Sequence, residues 1–352
     1  MLLVLVFAGA LWALGAAMGV PARARWQAIG LVWLGALAIN VVLPAGHPLR
    51  QVTGREPELW LLIGAFAAMV MLYRTGLKWL KARAPQAEET PEVKPGRFSQ
   101  TELERYARHI VLRELGGPGQ KRLKDAKVLA IGAGGLGAPA LQYLAAAGVG
   151  TIGVIDDDVV ENANLQRQVI HTDDRIGMPK VFSAEMAMRA QNPFVTVRPY
   201  HRRLEPDMAE ALFADYDLIL DGTDNFDTRY LANRTAVDLG KPLISGALSQ
   251  WEGQLSVFDP SWGGPCYQCI FPEPPAPGLA PSCAEAGVVG PLPGVVGAMM
   301  AVEAVKLISD AGMPLRGQML IYDALYGETR TITLKPRADC PVCHGKGAHK
   351  AA

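Results

Sequence analysis

A glycine-rich turn between two apolar segments constrains the fold of this chain more than any other feature of the sequence. Val128–Ile131 leads into Gly132–Gly137, which has the pattern G-x-G-x-x-G, and Ala138–Ala147 follows with helical periodicity. Glycines at this spacing allow a tight strand-to-helix turn whose free backbone N–H groups point at a phosphate. Ile155 then places Asp156 at the end of the next predicted strand, where a carboxylate binds ribose hydroxyls. The sequence therefore predicts a nucleotide-binding domain.

Predicted strands and helices alternate along the rest of this region. The predicted strands after the turn cover residues 151–155, 195–200 and 218–220, and the predicted helices cover 138–147, 181–190 and 206–213. Upstream, residues 99–115 have helical periodicity, and Ser99 with Glu102 forms a capping box. Such alternation predicts an α/β fold with a Rossmann-like, doubly wound, mainly parallel sheet that further strands extend.

The first 81 residues carry an excess of apolar side chains. Half of the whole chain is hydrophobic and only 19% is charged. Three apolar stretches at about 2–20, 26–44 and 59–80 are long enough to predict three transmembrane helices. The first two carry no charge, and the third is uncharged as far as Tyr73 and continues among basic residues. A buried helical hairpin is one alternative. A signal peptide followed by a core helix is another, although no Lys or Arg precedes Arg23 to form its basic n-region.

Basic residues near the ends of these stretches predict their orientation. They concentrate in the first loop and at the C-terminal end of the third helix, at Arg23, Arg25, Arg74, Lys78, Lys81 and Arg83. By the positive-inside rule the N-terminus lies outside and the bulk of the chain lies in the cytoplasm. The predicted organisation is therefore a multi-pass cell-membrane segment (1–82), a proline-containing linker (83–98), a globular domain (99–345) and a short tail (346–352).

Polar and basic residues follow the predicted nucleotide turn. Asn164, Leu165, Gln166 and Arg167 come after the second strand, and Lys180 precedes a helix. Hydride transfer has no need of two cations beside a phosphate loop, whereas cleavage of a phosphoanhydride does. An NAD-dependent oxidoreductase and a non-catalytic nucleotide-binding scaffold remain alternatives at this point.

A further carboxylate is expected at the same edge of the sheet. The predicted strand 218–220 ends in the segment 221–225, which contains Asp224 and Asn225. A carboxylate in this position suits Mg²⁺ bound to nucleotide phosphates. The formal net charge of zero offers no electrostatic argument for a nucleic-acid partner.

Four of the five cysteines form two C-x-x-C pairs, Cys266 with Cys269 and Cys340 with Cys343. Two such pairs complete a tetrahedral sulfur shell suited to Zn²⁺, and a filled shell predicts a structural metal. A pair of redox disulfides is the alternative. The fifth thiol, Cys283, follows a proline-rich run and is either a nucleophile on an exposed loop or a passive loop thiol.

Taken together, the motifs resemble those of the ThiF/MoeB/HesA adenylyltransferases, whose superfamily includes the ubiquitin-activating enzymes. Within that family the segment 287–297 is closest to the molybdopterin-synthase type. The motifs that carry the resemblance are Arg105–Ile110, Gly132–Gly137, Asn164–Gln168, Met178–Lys180, Asp221–Asn225 and Cys283–Gly287.

The resemblance implies a role for each matching residue. Gly135 would contact the nucleotide and Asp156 its ribose, and Asn164, Arg167 and Lys180 would bind the phosphates. Leu165 and Gln166 would also belong to the nucleotide site. Asp224, with Asn225 beside it, would serve Mg²⁺ and the reacting carboxylate. Arg108 would reach across a homodimer as an arginine finger. The catalytic residues implied in this way are Arg108, Arg167, Lys180 and Asp224.

The reaction implied by the resemblance is ATP-dependent adenylation of the C-terminal glycine of a ubiquitin-like sulfur-carrier protein ending in Gly-Gly. The carrier would be the small subunit of molybdopterin synthase, in molybdenum cofactor biosynthesis, or alternatively the thiamine-biosynthesis carrier. Since the sequence continues for only nine residues after Cys343, we expect sulfur to come from a separate sulfurtransferase.

Overall fold

A computed structural model describes residues 2–83, 97–276 and 286–344. The chain contains two compact units, Met1–Glu88 and Glu89–Ala352. Most of the predicted linker, the predicted tail and Cys283 lie outside the described residues.

The first unit is helical. It contains α1 (Leu2–Ala17), α2 (Ala22–Val42), α3 (Pro48–Thr53) and α4 (Pro57–Arg83). The three predicted apolar segments are helices, but the first ends at Ala17 instead of residue 20, because the chain turns through Gly19 at φ 70°. The short α3 between the second and third segments was not predicted. By length and composition α2 and α4 can cross a membrane, whereas α1 has only 16 residues.

Polar side chains connect the helices of this unit. Asn40 Nδ2 donates hydrogen bonds to Ala36 O and Thr53 Oγ1, both at 2.8 Å, which joins α2 to α3. The indole of Trp60 donates to Thr53 O at 3.1 Å, and the indole of Trp33 donates to Trp60 O at 2.9 Å. Amide and indole donors thus hold α2, α3 and α4 together within an otherwise apolar unit.

The second unit alternates helices and strands. Its helices are α5 (Gln100–Arg105), α6 (Ala107–Ile110), α7 (Gly116–Asp125), α8 (Gly137–Ala147), α9 (Lys180–Gln191), α10 (Pro206–Ala214), α11 (Phe226–Asp238), α12 (Tyr267–Ile270) and α13 (Pro291–Ser309). Its strands are β1 (Lys127–Ile131), β2 (Thr151–Ile155), β3 (Thr196–Tyr200), β4 (Leu218–Asp221), β5 (Leu243–Leu248), β6 (Glu252–Phe258), β7 (Gln318–Asp323) and β8 (Glu328–Thr333).

The N-terminal end of this unit confirms one prediction and corrects another. The capping box is present, since Ser99 Oγ accepts from Glu102 N at 3.2 Å and Glu102 Oε2 accepts from Ser99 N at 2.8 Å. The single predicted helix over 99–115 is wrong, because the chain breaks at Tyr106 into α5 and α6. Tyr106 is buried, and its hydroxyl accepts a hydrogen bond from Asn192 Nδ2 at 2.8 Å. This tertiary contact explains the break in local periodicity.

All eight strands form one sheet in the order β3-β2-β1-β4-β5-β6-β7-β8. The first five are parallel, and β6, β7 and β8 add antiparallel pairs at one end. The predicted fold class is therefore confirmed. In the sheet, β2 and β3 lie on one side of β1, whereas β4 and β5 lie on its other side. The gap between β1 and β4 is consequently a topological switch point, where open α/β sheets bind ligands.

Apolar side chains cover both faces of the sheet, as alternation along β1 illustrates. Val128 and Ala130 pack with residues of α8, α9 and α13 on one face. Leu129 and Ile131 pack with residues of α10 and α11 on the other. The methionine-containing helix α13 belongs to the first of these layers, since Met300 is fully buried. Although α13 is also long and apolar enough to span a membrane, half of its apolar window is buried within this unit.

Candidate nucleotide site and thiol cluster

A cavity of about 670 Å³ opens at the switch point, along the carboxyl ends of the parallel strands. The glycine turn, the loop after β4 and the start of α9 contribute to its wall. Of the residues singled out from the sequence, those that line it are Gly135, Asp156, Arg167, Lys180, Asp224 and Asn225. Side chains from four separate segments of the chain therefore meet around one space.

The glycine turn passes very close to its own backbone. Gly132 has φ 94°, a left-handed conformation that favours glycine. A Cβ atom at Gly137 would lie 1.9 Å from the carbonyl oxygen of Gly132, so no side chain fits there. Ala138 N donates to Gly134 O at 2.8 Å, which begins α8 directly after the turn. The helix thus starts at the cavity, where the N–H groups of its first turn are suited to binding an anion.

Asp156 braces the same turn from the end of β2. Its carboxylate accepts hydrogen bonds from Ala133 N at 2.7 Å and from Asp158 N at 2.8 Å. Burial raises the pKa of Asp156, and the positive charge of Lys180 and the two backbone donors counteract this. The carboxylate therefore lines the cavity and also holds the glycine turn through its hydrogen bond with Ala133 N.

Two cations reach the cavity from either side of the turn. Lys180, the first residue of α9, is 5% exposed, and its Nζ lies 2.6 Å from Asp158 Oδ2. An ammonium has three donors, so Lys180 can hold Asp158 and still donate to a phosphate. Arg167 passes beside the turn, with Cγ 4.0 Å from where a Cβ of Gly135 would lie, and it donates to Ala163 O at 3.0 Å.

Other predicted site residues lie elsewhere. Among the described residues, Asn164, Leu165 and Gln166 do not line the cavity. Asn164 is buried and accepts a hydrogen bond from Glu161 N at 3.1 Å, which shapes the turn that presents Arg167. Arg108 is exposed on α6, outside this wall. The roles inferred for these residues from the family resemblance stay predictions.

Several residues of the site were not identified from the sequence. Gln168, Arg202, Arg203, Arg229 and Tyr267 also line the cavity. Gln168 is buried, and its Oε1 has no hydrogen-bond partner among the described residues. Its place directly after Arg167 was the one signal available; the other four follow β3, lie inside α11 or begin α12, where no local pattern marks them.

His171, also not predicted, fixes the outer side of the glycine turn. Its Nε2 lies 2.9 Å from Ala133 O and its Nδ1 lies 2.9 Å from Ser183 Oγ. Because a carbonyl only accepts, Nε2 carries the proton and Nδ1 accepts from the serine hydroxyl. Burial lowers the pKa of His171, and the charges of Lys180 and Arg175 lower it further. The ring is therefore neutral and connects the turn to α9.

The two predicted cysteine pairs meet in the structure. Cys266 is the N-cap of α12 and Cys269 lies within it, Cys340 and Cys343 follow β8, and all four are buried and free. Their sulfur atoms lie within 4.8 Å of one another, with 3.8 Å between Cys266 and Cys269 and 3.6 Å between Cys266 and Cys340. A tetrahedral shell with Zn–S bonds of about 2.3 Å separates its sulfurs by about 3.8 Å. The cluster can therefore hold Zn²⁺.

Two thiols of the cluster, Cys266 and Cys340, differ in acidity. Burial raises the pKa of Cys266 to about 11. Burial acts in the same direction on Cys340, but hydrogen bonds from the backbone N–H groups of Cys343 and Val342 bring its pKa down to about 7. Near neutral pH the cluster thus retains protons that a metal must displace.

Known proteins are similar to this chain in sequence or in fold. The ThiF family profile matches residues 106–342. A sulfur carrier protein adenylyltransferase of Thermus thermophilus is 51% identical over 251 residues, which are 70% of this chain and 93% of that protein. A SAMP-activating enzyme E1 of Haloferax volcanii is 49% identical over 247 residues, covering 70% of this chain and 90% of that protein. A crystal structure of E. coli MccB with ATP has a TM-score of 0.58 at 20% identity, covers 90% of each chain and shows a shared fold.

The neutral state of His171 predicts a specific pH dependence of stability. Because folding lowers its pKa from 6.5, the stability it contributes is present above pH 6.5 and is lost as pH falls below that value. We expect the difference in Tm between the wild-type chain and His171→Gln to be largest at pH 7.5 and to shrink below pH 6.5. Thermal melts in detergent across this range measure it, and parallel profiles for the two proteins would contradict the assignment.

Proposed function

The chain belongs to the ThiF family, and from this membership we propose that it uses ATP to adenylate the C-terminal glycine of a ubiquitin-like sulfur-carrier protein. The observation that carries the proposal is the convergence of Arg167 and Lys180 with Gly135 and Asp224 on one cavity. Hydride transfer by an NAD-dependent enzyme would require neither cation, because it splits no phosphoanhydride. Relatives named as adenylyltransferase and activating enzyme also favour adenylation.

In the proposed reaction an oxygen of the carrier's terminal carboxylate attacks the α-phosphorus of ATP. The bond between that phosphorus and the bridging oxygen breaks, and pyrophosphate leaves with the electron pair. Negative charge grows on the α-phosphate and the leaving group, where Lys180, Arg167 and the N-terminus of α8 stabilise it. Asp224 would hold Mg²⁺, which neutralises phosphate charge when bound. The product is an acyl-adenylate, whose carbonyl accepts sulfur far more readily than a carboxylate does.

The carrier that we propose is the small subunit of molybdopterin synthase, and the thiamine-biosynthesis carrier is the alternative. The family relatives support a sulfur carrier in general. The segment 287–297 favours the molybdopterin type, and a separate sulfurtransferase would complete the thiocarboxylate. We further propose a homodimer in which Arg108, exposed on α6, reaches the partner's nucleotide.

Loss of either cation is expected to stop the chemistry without unfolding the protein. We predict that Arg167→Ala or Lys180→Ala lowers ATP–pyrophosphate exchange by about 100- to 1,000-fold, because each removes a preorganised positive charge from the splitting phosphoanhydride. Exchange is measured with each purified carrier in turn. Lys121→Ala is the matched control, since that lysine is exposed on α7, away from the cavity lining, and pairs with Asp125 at 2.7 Å. Normal exchange in either active-site variant would remove that residue from the site.

We also propose that the thiol cluster holds one structural Zn²⁺ per chain. Metal analysis should find about one zinc in the wild-type protein and in Cys283→Ala, and none in Cys340→Ser. Because the Cys266 thiol is protonated near neutral pH, binding releases protons, and the apparent zinc affinity should fall at least about tenfold from pH 8 to pH 7. Competition with a chromogenic chelator measures this. Full metal content in Cys340→Ser, or an affinity independent of pH, would exclude this coordination.

The first unit is proposed to anchor the enzyme in the cell membrane with the second unit in the cytoplasm. The family match begins at residue 106, so the helices of the first unit are an addition to the matched domain. α2 and α4 have the length and composition of spans. With 16 residues, α1 is about 24 Å long, and local thinning of the bilayer accommodates the mismatch.

Membrane fractionation tests this topology. We expect the chain to resist alkaline carbonate and to dissolve only in detergent, because spanning helices bury apolar surface in lipid. Alkaline phosphatase fused after Pro44 should be active and the same reporter after Arg83 inactive, because the basic residues at the C-terminal end of α4 stay inside. Release by carbonate would rule out spanning helices, and the reversed reporter pattern would rule out the orientation.

A further inference from the structure

A buried arginine in α11 contacts both strand ends that border the cavity. Arg229 is 5% exposed. Its Nη1 donates to Ser245 Oγ at 3.0 Å and lies 3.5 Å from Asp221 Oδ2. Its Nη2 donates to Gly246 O at 2.6 Å and also to Thr223 O. One planar guanidinium thus joins the loop that follows β4 to β5.

The partners of Arg229 form a closed network around the segment that presents Asp224. Asp221 is 1% exposed, and its Oδ1 accepts from Thr223 N at 3.0 Å and from Thr223 Oγ1 at 2.7 Å. Asp221 and Ser245 are neighbours in the pairing of β4 with β5. The residue immediately before Asp224 is therefore held through its amide, its hydroxyl and its carbonyl oxygen.

A simple buried ion pair would not require this arrangement. Such a pair gives little net stability, and apolar residues often replace it without loss. Here two N–H groups donate to backbone carbonyls of two different segments, Thr223 in the loop after β4 and Gly246 in β5, and neither Asp221 nor a hydrophobic side chain could satisfy those carbonyls. Lysine could not do so either, because its single ammonium lacks the rigid fork of a guanidinium.

We propose that Arg229 is a positioning residue for adenylation, fixing the β4 and β5 strand ends so that Asp224 keeps its place opposite the glycine turn. The proposal rests on the proposed function, since it assigns Asp224 to the reacting carboxylate and its metal ion. Arg229 does not contact Gly135, Asp156, Arg167 or Lys180 through any of the bonds described above. Although Arg229 also lines the cavity, both of its terminal nitrogens are used by the protein partners named above, so the role proposed for it is in the geometry of the reaction and not in the binding of ATP.

The test compares Arg229→Lys with Arg234→Lys, an exposed arginine on the same helix. In the full chain with the sulfur carrier, Arg229→Lys should lower kcat of ATP–pyrophosphate exchange about 100-fold, the loss expected for a misplacement of about 1 Å. The KM for ATP and the Kd from calorimetry should stay within about twofold of the wild type. Arg234→Lys should match the wild type in all three measurements.

Hydrogen exchange supplies a readout that does not depend on activity. Arg229→Lys should speed amide exchange at Thr223 at least about tenfold while leaving the amides of Gly132–Gly137 unchanged. A kcat within threefold of wild type, or a fall in kcat, ATP affinity and protection of the glycine turn together, would overturn the proposal. If the wild-type chain shows no exchange with any carrier, the proposed function fails, and amide exchange at Thr223 still decides whether Arg229 fixes this loop.

Discussion

Two backbone turns touch at the junction of β1 and β4, and the geometry of the site depends on their contact. Gly222 N donates to Ile131 O at 3.1 Å, which joins the loop after β4 to the strand that ends in the glycine turn. A Cβ at Gly222 would lie 3.2 Å from Leu136 Cβ, and one at Gly137 would clash with Gly132 O. Because these atoms leave no room for side chains, the phosphate-binding turn and the segment that carries Asp224 have a fixed separation. A reaction that joins a phosphate on one turn to a carboxylate near the other requires this rigidity.

The charged side chains around these two turns are paired, but their pairing leaves Lys180 able to bind a phosphate. Asp156 accepts hydrogen bonds from backbone N–H groups and interacts with Lys180 through charge, whereas Lys180 forms its ion pair with the largely exposed Asp158. An exposed partner loses little by rehydration, so Lys180 can turn toward a phosphate at small cost. His171 adds to the balance by remaining neutral: a third positive charge beside Lys180 would oppose its approach to the glycine turn. The site therefore presents cations without burying an unpaired one.

Features with a local cause were predictable from the sequence, and features with a tertiary cause were not. The glycine turn, the Ser99 capping box and the paired cysteines depend on residues a few positions apart, so their patterns can be read directly. The break at Tyr106 depends on Asn192, which is 86 positions away. Arg229 gave no sign of its role, because an arginine inside a helix is usually solvated and only the pairing of β4 with β5 places carbonyls around it. Arg202 and Arg203 reached the cavity for a similar reason, since the end of β3 lies beside the end of β2.

Helix α11 connects the thiol cluster to the loop that presents Asp224. Its first turn follows the Asp224 loop, with Asn225 Oδ1 accepting from Thr228 N at 3.0 Å as the N-cap. In its second half, Asn233 Oδ1 accepts from Tyr267 N at 2.9 Å, between the first two cysteines, and Val237 packs among the four thiols. A metal at that end would immobilise α12 and thereby the far end of α11, while Arg229 holds the near end. Tyr267 also lines the cavity, so the cluster shapes the same space through a second contact. A metal with no open coordination position would thus support catalysis, because it would fix the helix that directly follows the loop containing Asp224.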